Sequence, residues 1–124
     1  MTARWQDISE ADWQEQVTDL LRIGGWEWLH VRRSLGKRGG QTAWQTTTNI
    51  SGWPDLYAFH PEWQRHCAIE LKAKYNKPTD DQIAVLTSLY RSGVEAHVWW
   101  PKDLDEATAI LCRRNQIHPM RSGF

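Results

Sequence analysis

The run from Cys67 to Trp100 limits the possible folds more than any other stretch of this chain. Cys67 to Ala73 (CAIELKA) alternates with the period of a strand. Ile69, Leu71 and Ala73 face one way, and Ala68, Glu70 and Lys72 face the other. A helix is predicted from near Thr79, with Pro78 just before it and Gln82 in the capping-box position. Ile83, Leu86, Leu89 and Tyr90 form its apolar stripe, and Gly93 ends it. Glu95 to Trp100 (EAHVWW) is a further strand, stopped by Pro101. A strand reached through a crossover helix lies parallel to the strand the chain left. Part of the sheet is therefore expected to be parallel, in an α/β fold with a mixed sheet between helices.

The other elements complete that plan. Ser9 can cap a first helix, with Asp12 three residues on. Trp13, Val17, Leu20 and Leu21 make one stripe, and Gly24-Gly25 ends it. Glu10 lies about 60° from Trp13 on the helical wheel, at the edge of the apolar face. Trp26 to Arg33 reads as a strand, and residues 34–51 as a flexible hairpin or loop rich in Gly, Thr and Gln. Ser51-Gly52-Trp53-Pro54 is a turn, and Asp55 to Phe59 is a short strand ended by His60-Pro61. Asp103 is expected to cap a last helix that runs to about Arg114, with Ala107, Ile110 and Leu111 inward. The predicted order is α-β-β-β-α-β-α. The 124 residues suit a single domain over 1–124 that buries roughly two-thirds of the unfolded surface.

Charge is informative through its distribution. The net charge is zero, which argues against a protein that coats nucleic acid without discrimination. Between Glu27 and Asp55, however, there is no acid, while Arg32, Arg33, Lys37 and Arg38 all occur. Such a patch suits a phosphate backbone met on one face, and equally a solvated loop. Nine tryptophans are more than a chain of this size easily buries, so some are expected at an interface with a subunit or ligand. Cys67 and Cys112 read as two reduced thiols of a cytoplasmic protein. The first ten residues lack the apolar core of a signal peptide, and no run is apolar enough for a membrane span, so no membrane partner is expected.

Chemistry concentrates at Asp55, Glu70 and Lys72. Asp55 opens a strand directly after Gly52-Trp53-Pro54, and Glu70-Leu71-Lys72 lies in the next strand, one hairpin away. Period two puts Glu70 and Lys72 on one face, and one choice of register brings Asp55 to the same place. Two carboxylates held that close repel, and a divalent cation removes the penalty. Oxygen-rich sites suit Mg²⁺ or Mn²⁺, which often take one or two carboxylates together with waters and substrate phosphate. The competing reading is an ordinary same-face Glu–Lys strand pair beside a turn aspartate.

Pro54-Asp55 followed by Glu70-Leu71-Lys72 resembles the PD-(D/E)XK nuclease signature. More narrowly, the chain is similar to the VRR-NUC domain. The similarity runs through Ser9-Glu10, Gln14 and Val17, Gly25-Trp26, Gly52-Trp53-Pro54-Asp55-Leu56, Glu70-Leu71-Lys72, Thr79-Asp80-Asp81-Gln82 and Gly93. It covers about residues 9–100, and its specificity lies in the order of several short motifs. The resemblance implies a restriction-endonuclease-like core, dependence on Mg²⁺ or Mn²⁺, and phosphodiester hydrolysis. It implies Asp55 and Glu70 as the main metal ligands, with Glu10 as the helix-borne acid that completes the site. Lys72 is then the catalytic lysine, and Gln82 holds the water or Lys72. Short stand-alone members look like phage or bacterial resolvases of four-way (Holliday) junctions. Branched DNA is thus the expected substrate, and two-strand cutting implies a homodimer. Arg32, Arg33, Lys37 and Arg38 are expected to hold phosphates.

Two alternatives stay open: a non-catalytic DNA- or protein-binding module on the same scaffold, and a restriction-type enzyme acting on duplex. Zinc is disfavoured, because His30, His60, His66, His97 and His118 show no ligand spacing. Serine-nucleophile catalysis has no nucleophile elbow to support it.

Overall fold

Ser9 starts the first helix, α1 (Glu10–Gly24), its hydroxyl accepting the Asp12 N–H at 3.1 Å. Trp13, Val17 and Leu21, four residues apart, form the buried stripe. Gly25 ends the helix at φ 86°, a left-handed conformation that glycine adopts without cost. This computed structural model describes residues 4–31, 33–38, 41–46 and 50–113, and of 33–38 and 41–46 only the backbone.

Among the described residues six strands follow: β1 (Glu27–His30), β2 (Arg33–Arg38), β3 (Gln41–Thr46), β4 (Leu56–His60), β5 (Arg65–Leu71) and β6 (Glu95–Trp99). Helix α2 (Asp80–Arg91) joins β5 to β6, and α3 (Leu104–Leu111) follows β6. Short 3₁₀ turns lie at Trp5–Asp7 and Pro101–Asp103. The main sheet has the order β1-β4-β5-β6. β1 and β5 each run antiparallel to β4, and β6 runs parallel to β5, as the crossover helix requires. The segment expected as a hairpin or loop forms a separate antiparallel ribbon of β2 and β3.

Alternation along β5 sorts side chains between two cores. Cys67, Ile69 and Leu71 join Leu56, Ala58 and Trp99 under α1 and α3. Ala68 joins Ala96 on the opposite face, under Leu86 of α2. Truncating a fully buried leucine such as Leu86 to alanine is expected to cost about 2–5 kcal/mol.

Among the described residues only three of the nine tryptophans are buried. Trp13, Trp26 and Trp99 are buried, and each indole N–H has an acceptor: the carbonyls of Trp99 and Leu111 and the Glu106 carboxylate. Several element ends differ from expectation: the strand expected over Trp26–Arg33 stops at His30, β5 begins at Arg65 rather than Cys67, and the last helix stops at Leu111 rather than near Arg114. Trp26 gives its backbone N–H to Leu21 at the end of α1 and turns its ring to Leu111, so β1 starts at Glu27. Asp103 accepts the Trp100 N–H at 2.9 Å and makes no side-chain cap to α3. Among the described residues no helix is long and apolar enough to cross a membrane. Cys67 and Cys112 are free thiols.

Candidate metal centre

The turn before β4 is shaped by contact with α2. Gly52 has φ 87°, and a Cβ there would stand 2.4 Å from the Asp81 carbonyl carbon and 2.7 Å from the Gln82 nitrogen. Only glycine lets the turn press against the first turn of α2 this closely. Ser51 secures the contact through its hydroxyl, 2.7 Å from the Asp81 carboxylate. The next residues, Trp53 and Pro54, deliver Asp55 to the start of β4. There the Asp55 carbonyl accepts the Val31 N–H at 2.9 Å.

Register then sets the site. Leu56 pairs with Ile69, so one residue further out Asp55 lies across from Glu70. The Asp55 N–H donates to Glu70 Oε1 at 3.2 Å, and the Leu71 N–H donates to Asp55 Oδ2 at 2.8 Å. Two residues on, just past the end of β5, Lys72 Nζ stands 3.2 Å from Glu70 Oε2. The Lys72 N–H continues the parallel ladder by donating to the Trp99 carbonyl at 3.0 Å. Asp55, Glu70 and Lys72 therefore form one cluster at the end of the sheet where β5 and β6 finish, the edge at which open α/β sheets bind ligands.

Both acids carry a penalty for being ionised. Glu70 is 2% exposed. Burial, and then the Asp55 charge, push its carboxyl up to about 7, against the pull of Lys72 and the Asp55 N–H. Burial also raises Asp55, opposed by the Leu71 N–H and by charge at Lys72 and His30. His30 was not singled out for this role in the sequence. It ends β1 opposite Leu56, one residue from Asp55, and its Nδ1 lies 3.5 Å from Gln14 Nε2 of α1. The signal for it was its period-two place on β1, on the same side as Trp28.

The other expected site residues are placed less closely. Glu10 is exposed at the first turn of α1. Among the described residues no group of three or more His, Cys, Asp or Glu side chains could hold a metal ion, so Glu10 is not gathered with the pair. Gln82 is buried at the start of α2, where its side-chain oxygen accepts the Thr79 N–H at 2.9 Å. Its own N–H donates to the Thr79 hydroxyl at 3.2 Å. The capping box therefore occupies the Gln82 oxygen, and its amide NH₂ is the group it has to offer the site. Arg32 and the side chains of Arg33, Lys37 and Arg38 lie outside the described residues.

A second buried acid lies at the other end of β5. Arg65 grips Glu95 with two bonds of 2.7 Å, and it also donates to the carbonyls of Ile110 (3.1 Å) and Arg113. Its guanidinium carbon stands 5.0 Å from the Trp26 ring centre. Burial would raise the Glu95 carboxyl, but the bonds and charge of Arg65, with His97 nearby, hold it below the usual carboxylate range. His97 Nε2 is 4.0 Å from Glu95, is buried with no hydrogen-bond partner among the described residues, and belongs to a ring stacked on Trp99.

Compared with known protein families, curated proteins and solved structures, the chain matches none.

Proposed function

We propose that this chain is a metal-dependent endodeoxyribonuclease that hydrolyses phosphodiester bonds in branched DNA, working in the cytoplasm as a homodimer with two sites. One observation carries the reading: buried Glu70 and half-buried Asp55 converge beside Lys72, and desolvation raises both carboxyls above their ordinary range. A hard divalent cation, Mg²⁺ or Mn²⁺, fits this donor set. It needs only one or two carboxylates from the protein, and it offsets the repulsion that otherwise draws a proton onto the pair. Asp55 and Glu70 would hold it. When bound, the cation acidifies a water and offsets negative charge growing on a phosphodiester under attack.

The chain's own groups do the rest. Backbone N–H groups of Asp55 and Leu71 fix one oxygen of each carboxylate, so neither acid swings freely. Lys72 is partly open to solvent and brings an ammonium donor to the edge of the pair. That places it to orient a water or to stabilise charge on a phosphate oxygen. Gln82, held at the start of α2, has its amide NH₂ available as a neutral donor. The mixed sheet, with the motif residues on its central hairpin, supports a restriction-endonuclease-like core. Two free thiols suit a reducing compartment.

The test is a labelled panel of four-way junction, flap, duplex and single-stranded DNA, incubated with Mg²⁺ or Mn²⁺ and with a chelator. Cutting of the junction is expected only with the cation. Asp55→Ala and Lys72→Ala should each lower the rate by on the order of 10²–10³-fold. Equal cutting by both variants and the parent would overturn the roles assigned. Preference for plain duplex would move the enzyme to the restriction type.

A further inference from the structure

Past the end of β5 the chain makes a tight turn, with Lys74 at φ 55° and the Asn76 N–H bonded to the Ala73 carbonyl at 3.1 Å. The turn lifts Tyr75 into solvent, where it is 72% exposed. The edge of that ring meets Trp5, with ring centres 5.6 Å apart and planes at 70°. Trp100 joins the same surface by donating its indole N–H to the Asn76 carbonyl at 2.8 Å. Lys102 places its ammonium 5.7 Å from the Trp5 ring and 5.4 Å from the Trp100 ring. Lys74 and Lys77 are exposed on the same turn, and among the described residues neither forms an ion pair.

The fold accounts for only part of this cluster. Trp5, Trp100 and Lys102 tie the first 3₁₀ turn to the second. Tyr75 adds one edge contact to Trp5, yet most of its ring stands open, flanked in the chain by the exposed Lys74 and Lys77. Two residues of chain, Ala73 and Lys74, separate it from Lys72, and the three steps span at most about 11 Å between backbones. Aromatic faces beside cations are how proteins hold unpaired nucleotides: bases stack on the rings and phosphates meet the ammonium groups. A duplex offers phosphates but keeps its base faces stacked internally.

We infer that Trp5, Tyr75 and Trp100, with Lys74, Lys77 and Lys102, form a stacking platform for unpaired nucleotides next to the bond that is cut. This rests on the nuclease reading and deepens it: the substrate carries a single-stranded stretch beside the cleavage point. The basic ribbon of β2 and β3 is then not the whole of the nucleic-acid surface.

The test is titration of the full chain, in chelator, with a fluorescent oligothymidine and with a duplex of the same length. The single strand should bind at least about tenfold more tightly than the duplex. Tyr75→Ala should weaken single-strand binding about tenfold, and Tyr75→Phe should keep it, because stacking needs the ring and not the hydroxyl. Lys77→Gln should lower the slope of log affinity against log salt by about 0.7. Tyr75 is exposed, so neither variant threatens the fold. Equal binding of single strand and duplex, or no loss with Tyr75→Ala, overturns the platform. Neither cation nor cleavage is needed here, so that failure leaves the nuclease reading standing. A chain that binds the oligonucleotide but cuts no DNA with Mn²⁺ overturns the nuclease reading alone.

Discussion

Glu70 on β5 and Glu95 on β6 are both buried in the sheet, and their surroundings treat them in opposite ways. Glu95 meets a guanidinium fork on both oxygens, and its carboxyl is held low. Glu70 meets one backbone N–H, one ammonium and a second acid, and its carboxyl is pushed up to about 7. Burial is common to the two, so burial alone does not distinguish an acid held as a carboxylate from one pushed toward its protonated form. The partner set does: a complete one makes an inert ion pair, and an incomplete one leaves a demand for positive charge.

The contrast breaks most sharply at Arg65. Arg65→Met leaves Glu95 buried and unpaired, and should cost about 3–5 kcal/mol in urea unfolding. A smaller effect, of opposite sign in pH, belongs to Glu70. Its carboxyl sits at about 7 in the fold against 4.5 for an unburied one. Between those values the folded chain binds more protons than the unfolded chain, so stability falls as pH rises. In metal-free protein the loss across that window should be about 3 kcal/mol. Thermal melts from pH 4 to 8 check this, and Mn²⁺ should restore stability at neutral pH. Glu70→Gln should flatten the slope, whereas Glu95 contributes stability that is lost as pH falls below the ordinary carboxylate range. A flat metal-free profile in the parent would erase the difference between the two acids. Thr79→Ala, which removes the cap on α2 but touches neither acid, should cost about 1 kcal/mol in the same assay. The mildest change expected is for Lys72→Met, which should shift stability at pH 6 by less than about 1 kcal/mol, because Glu70 is already largely protonated there and has little charge for the ammonium to offset.

How legible each end was in the sequence follows from distance along the chain. Asp55, Glu70 and Lys72 could be grouped because period two fixes same-face neighbours and a hairpin fixes the opposite strand. The capping box of Thr79 and Gln82 is local for the same reason, and its geometry was visible in four residues. Arg65 and Glu95 belong to strands paired across a helix, and nothing near either residue marks the other as its partner. Trp26 was misplaced in a strand because its alternation with Trp28 hid the pull of the Leu111 carbonyl, 85 residues away. Tyr75 depends on a left-handed turn at Lys74, which a lysine does not advertise. Asp103 had the form of a cap, but the nearer Trp100 N–H took its carboxylate.

The placement of Asp55 and Glu70 on a single hairpin also bears on the order of assembly. β4 and β5 can zip together from their shared turn, while β6 must wait for the whole crossover to wind. The acids are thus expected to come face to face while water still bathes them and their repulsion is slight. It grows only as α2 settles onto β5 and dries the space between them. A hard ion arriving in time should hasten this last closure and leave the early zipping untouched.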